Sequence, residues 1–166
     1  MPLKALELNA GDVELMESEL RTLSARSGAE SVCLLDLSGV ILAGHRLPEK
    51  IDTLLFAALL TSNFAATEEL SRRLGVTSFR VMYHEGKRQN IYFDKVAEDT
   101  ILVVLFRDSN ALGRVRLFTE KSVAELGRLV AAVTKPDGER LDLPQGRSAA
   151  AWLASVANTI LPGKKG

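Results

Sequence analysis

The run Ile101-Leu-Val-Val-Leu-Phe106 carries no polar side chain, and it constrains the fold more than any other feature of the chain. A short, uninterrupted apolar and β-branched segment of this kind reads as a strand at the centre of a sheet. A second run, Val32-Cys-Leu-Leu-Asp-Leu37, is apolar on both faces, as a central strand is. Such a sheet must be covered on each side, which calls for a layered fold with helices on both faces.

The remaining segments supply those layers. Residues 1–11 form a leader, and Asp12 is the expected N-cap of a first helix carrying Val13, Met16, Leu20 and Leu23 at helical spacing. Ser27-Gly28 is its stop, because glycine takes the left-handed conformation cheaply. Val40–His45 reads as a strand joined to the Val32 run by a turn at Ser38-Gly39. Pro48 permits a helix start, and a helical pattern runs from Lys50 to Leu74 before Gly75. At about 1.5 Å per residue this helix is about 36 Å long, enough to cross a small sheet.

Ser78–Glu85 and Gln89–Asp94 read as strands around the turn Glu85-Gly86-Lys87-Arg88. Asp108, Ser109 or Asn110 caps a last domain helix with Leu112, Thr119, Val123, Leu126 and Val130 on one face. The order α-β-β-α-β-β-β-α predicts an α/β (α+β) fold, one five-stranded antiparallel sheet between helices, over residues 12–134. Residues 135–146 hold Pro136, Gly138, Pro144 and Gly146 and read as a linker. Residues 147–161 read as a C-terminal helix with Trp152, Val156 and Ile160 on one stripe, followed by a tail, 162–166.

Several function classes fall away. Lys+Arg and Asp+Glu both total 21, so no charge excess favours nucleic acid or an anionic membrane surface. The longest apolar stretch is far short of the roughly 20 residues a membrane helix needs. The start, Met-Pro-Leu-Lys-Ala-Leu-Glu, lacks a signal peptide's apolar core, and the single cysteine, Cys33, fits a reducing compartment. A cytoplasmic protein is expected. No G-x-x-x-x-G-K-[ST] or G-x-G-x-x-G loop offers a phosphate cradle, and His45 and His84 lie on separate strands without metal-site spacing. No cofactor and no metal are expected. Cys33, inside a central strand, reads as a buried, inert thiol, and Asp36 as a turn residue. Arg72 and Arg73 invite an arginine-finger reading, but cations complementing a helix C-terminus are the favoured explanation. No constellation suggests catalysis.

The long helix carries two apolar faces. Leu55, Leu59, Ala66, Leu70 and Leu74 gather on one side, expected to lie on the sheet. On the other side, Leu54, Ala57, Ala58, Thr61, Ser62 and Ala65 form a small, weakly polar stripe before Glu68, Glu69 and Arg72. Small residues let another backbone approach closely, so this stripe is the expected contact for a second molecule.

The element order, with Leu35-Asp-Leu-Ser-Gly39, Thr61-Ser-Asn-Phe-Ala-Ala-Thr67, His84-Glu-Gly86 and Leu102-Val-Val-Leu-Phe106, resembles roadblock/LC7 proteins. Within them the likeness is to the MglB group of bacterial polarity proteins, which regulate the Ras-like GTPase MglA. Ala111-Leu-Gly113 followed by Val115-Arg-Leu117 adds to it, and the resemblance covers about Asp12 to Val133. It implies a homodimer in which Phe79, Arg80, Val81, Met82, Tyr83 and His84 pair with their two-fold mates. It also implies a platform that binds one MglA-type GTPase, here through Leu54, Ala58, Thr61, Ser62, Ala65, Glu69 and Arg72. GTP hydrolysis would be stimulated by repositioning the GTPase's own catalytic residues in cell polarity or motility, with the protein concentrated at a cell pole. A scaffold of the same fold without that activity is the alternative. A PAS-like sensor is a third reading, disfavoured because Leu, Val, Ile and Phe would fill the cavity it needs.

Overall fold

The computed structural model describes residues 8–133. Their element order is α1 (Ala10–Ser27), β1 (Ser31–Asp36), β2 (Ile41–His45), α2 (Thr53–Leu74), β3 (Val81–His84), β4 (Asn90–Ala97), β5 (Thr100–Phe106), a 3-10 turn (Ser109–Ala111) and α3 (Leu112–Val133). The strands form one antiparallel sheet in the order β2-β1-β5-β4-β3, which places β1, β5 and β4 inside and leaves β2 and β3 at the edges. The expected architecture is the observed one.

Strand periodicity divides the core into two layers. Val32, Leu34, Leu102, Val104 and Phe106 face α1 and α3, where Met16, Leu20, Leu23, Val115, Leu126 and Val130 meet them. Cys33, Leu35, Ile101, Val103 and Leu105 face the opposite way, onto Ala57, Leu60 and Phe64 of α2. Every residue of β5 is buried, which is why its sequence shows no alternation. Desolvation pushes the Cys33 thiol up to about 12, so it stays protonated. Between α1 and α3, buried Ser122 Oγ donates to Glu19 Oε1 at 2.6 Å.

Local chemistry sets the element ends, with some shifts from expectation. Asn9, not Asp12, caps α1: its side chain accepts from the Asp12 N–H at 3.0 Å while Asp12 accepts from the Asn9 N–H at 3.1 Å. This reciprocal box starts the helix at Ala10, two residues before the expected cap. Asp52 caps α2 through the Leu54 and Leu55 N–H groups, so the helix begins at Thr53 rather than near Lys50. Gly28 and Gly75 end α1 and α2 in the left-handed region, at φ 78° and 68°. β3 is shorter than the Ser78–Glu85 run, and Phe79 and Arg80 precede it. β4 is longer than expected, continuing past an irregularity between Lys95 and Ala97. The linker, the helix with Trp152, Val156 and Ile160, and the tail lie outside the described residues.

Candidate interaction surface

Helix α2 presents the sheet with the face opposite to the one its leucines suggest. Ala57, Leu60, Thr61, Phe64 and Ser71 are its buried residues, at i, i+3, i+4, i+7 and i+14. Leu59, Leu70 and Leu74 are 55%, 51% and 62% exposed, Ala66 is exposed and Leu55 is half-buried. The expectation that these five residues cover the sheet is therefore wrong. Phe64 is the physical reason: it is fully buried in the same cluster as Phe93, Val103 and Leu105, and a helix has only one face to give the sheet.

The small-residue stripe divides accordingly. Thr61, expected at a contact surface, is buried, and its hydroxyl donates to the Ala57 and Ala58 carbonyls at 3.0 and 3.2 Å. Leu54, Ala65 and Arg72 are exposed, and Ala58, Ser62 and Glu69 are partly so. At about 100° per residue these six form a flank between the buried stripe and the leucine crest. The sequence signal that locates the sheet face is the alignment of Phe64 with Leu60 and Ala57 one and two turns earlier.

At the C-terminal end of the flank, Glu69 holds both arginines. Arg72 Nε donates to Oε2 at 3.0 Å and Arg73 Nε to Oε1 at 2.8 Å. The Arg72 hydrogen bond, first among the causes, holds the Glu69 carboxyl below its usual range. All three side chains are solvent-facing, so this is a preformed surface charge cluster.

The second part of the surface is β3, which among the described residues pairs only with β4 and leaves its other edge open. Val81 and His84 are exposed, while Met82 packs toward α2 and Tyr83 toward the opposite layer. Buried Asn90 fixes the hairpin behind this edge. Its Oδ1 accepts from the Gly86 N–H at 3.2 Å and from the Tyr83 hydroxyl at 3.4 Å, and its Nδ2 donates to the Arg107 carbonyl at 3.0 Å. A Cβ on Gly86 would lie 2.6 Å from the Gln89 carbonyl oxygen, so the tight turn excludes a side chain there. Asn90 plays a part that no motif in the sequence announced.

An open-edged antiparallel sheet, with one long helix on one face and two on the other, defines a layered α/β domain. The chain belongs to the Roadblock/LC7 domain family, whose model matches residues 16–106. No curated protein matches it by sequence. Among solved structures it is 29% identical to Myxococcus xanthus MglB, covering 70% of this chain and 95% of that one, with a TM-score of 0.67. It is 28% identical to the gliding protein MglB of Thermus thermophilus, covering 79% and 99%, with a TM-score of 0.71. An MglB solved in a tetrameric arrangement is 28% identical, covering 80% and 99%, with a TM-score of 0.72. Among the described residues no helix is long and apolar enough to cross a membrane.

Proposed function

We propose that this chain is a homodimeric regulator that binds a Ras-like small GTPase of MglA type and stimulates its GTP hydrolysis without an active site of its own. The observation that carries the reading is the leucine crest of α2, exposed on the same helix that presents a small-residue flank. Leu59, Leu70 and Leu74 in water are an apolar patch that a second copy would cover, with the open edge of β3 continuing the sheet across the two-fold axis. The flank of Leu54, Ala58, Ser62, Ala65, Glu69 and Arg72 is then left for the GTPase. Likeness to two named MglB structures across most of the chain supports the same reading.

The test has two stages. Light scattering at tens of micromolar is expected to give twice the 18.1 kDa chain mass. GTP turnover by an MglA-type GTPase is expected to rise on adding the protein. A monomer would remove the dimer, and binding without faster turnover would make the protein a scaffold of the same fold.

A further inference from the structure

At the sheet edge opposite β3, a cleft of about 340 Å³ opens between the C-terminal end of α1 and the end of β2. It is lined by Arg21, Ser24 and Ala25 of α1, by Gly28, Ala29 and Glu30 that follow the helix, and by His45 and Arg46 at the end of β2. We propose that this cleft binds a phosphate group carried by a small polar molecule, held between the Arg21 and Arg46 guanidinium groups and the His45 imidazole. The site is distinct from the α2 surface and independent of the GTPase reading.

Four observations converge. The first is unspent cationic charge. Arg46 makes no ion pair among the described residues, and Arg21 has only a long contact with Glu17, at 3.8 Å. The second is the fate of the one carboxylate lining the cleft: Glu30 Oε1 is taken by Arg107 Nε at 2.8 Å.

The third concerns the helix end, whose carbonyls would ordinarily repel an anion. Arg114 Nε donates to the Ser27 carbonyl at 2.9 Å, and its guanidinium occupies the space where a Gly28 side chain would be. That cation offsets the negative end of α1. The fourth is backbone strain. Arg46 has φ 53°, the one positive φ outside glycine among the described residues. Strain of this kind is kept where surrounding structure over-determines it, and it clusters at ligand-binding positions.

Two guanidinium groups on separate elements suit a dianion better than a single carboxylate, which one arginine satisfies in bidentate fashion. His45 responds to the same field. Burial first, then the charges of Arg46 and Arg21, lower its protonation range, with Glu17 acting the other way. An anion seated among them screens those cations, so His45 takes up a proton more readily in the complex.

The test follows His45 and Arg46 by NMR in the full chain. Inorganic phosphate and ribose 5-phosphate are the soluble probes, and vesicles of phosphatidylglycerol in phosphatidylcholine probe a headgroup source. Saturable displacement of both residues by the soluble probes is expected, weakened about tenfold or more in Arg46→Asn and in Arg21→Gln. Asparagine tolerates the left-handed backbone, so Arg46→Asn removes the charge and keeps the turn. Sulfate, which does not titrate near neutrality, should raise the His45 midpoint in the wild type and not in Arg46→Asn. Vesicle binding lost in Arg46→Asn, with no response to soluble probes, would assign the phosphate to a lipid headgroup. No response at His45 in either arm, or an equal response in folded variants, overturns the site.

Discussion

Arg80 Nε lies 3.0 Å from Asp94 Oδ1, joining the segment that leads into the edge strand β3 to a carboxylate only 1% exposed within β4. Both lie beside the backbone bond from Lys95 N to the Arg80 carbonyl, at 3.0 Å. Burial raises the Asp94 carboxyl above its ordinary range, and the Arg80 bond opposes that shift without cancelling it. Arg80 is raised in turn, by its hydrogen bond to Asp94 and by the carboxylate's charge.

A pH dependence follows. Because the folded pKa of Asp94 exceeds the unfolded one, the folded state binds more protons between the two. The group's stabilising contribution is complete below the unfolded value and is lost as pH rises through the folded one. Asp94→Asn keeps an acceptor for Arg80 and removes the titration. Urea denaturation from about pH 4 to about pH 7 should show this falling component in the wild type and not in the variant. Parallel curves would mean that Asp94 titrates alike in both states.

The two faces of α2 predict opposite consequences for two apolar truncations. Phe64 is fully buried, so Phe64→Ala removes about 3–5 kcal/mol of stability. Leu70 is 51% exposed, and Leu70→Ser should leave the monomer's own stability within about 0.5 kcal/mol while weakening self-association. Denaturation at several protein concentrations separates the two effects. A large, concentration-independent loss in Leu70→Ser would place that leucine in the monomer core.

The hairpin behind β3 depends on Asn90 and Gly86. Asn90→Leu strands the Gly86 N–H and the Arg107 carbonyl and should cost about 2–4 kcal/mol. Gly86→Ala places a methyl 2.6 Å from the Gln89 carbonyl oxygen, for a cost of roughly 1–3 kcal/mol. Since both act on one turn, the double variant should cost less than the two together. Strict additivity would show that the turn and the asparagine act separately.

The layered sheet was legible because its signals are local. Six consecutive apolar residues in β5, glycines after α1 and α2 and the turn at Gly86 each act within a few residues. The orientation of α2 was harder to read, because both sides of the helix are apolar and periodicity cannot rank them. Counting leucines favoured the wrong side, where the volume of Phe64 decides. Arg46 and Arg21 lie 25 residues apart in sequence, so no local spacing reveals the cleft that they share.

The flank of α2 gives the most discriminating experiment on the proposed activity. Ala65 is exposed and lies one turn from Ser62 and Glu69 on the helix surface, so Ala65→Arg sets a long cation where close approach is needed. Overlap and desolvation of an unpaired charge should cost roughly 3 kcal/mol or more of binding, about two decades in affinity, and stimulation should disappear with it. The fold should survive, because residue 65 is off the buried stripe. Arg72 is committed to Glu69, so Arg72→Ala should change stimulation modestly, whereas loss of an arginine finger costs about a thousandfold or more. GTP turnover by an MglA-type GTPase, with circular dichroism on each variant, decides both points. Full stimulation by folded Ala65→Arg would move the contact off this flank, most directly onto the leucine crest. Collapse of activity in Arg72→Ala with binding intact would make the arginine, rather than the surface, the active element.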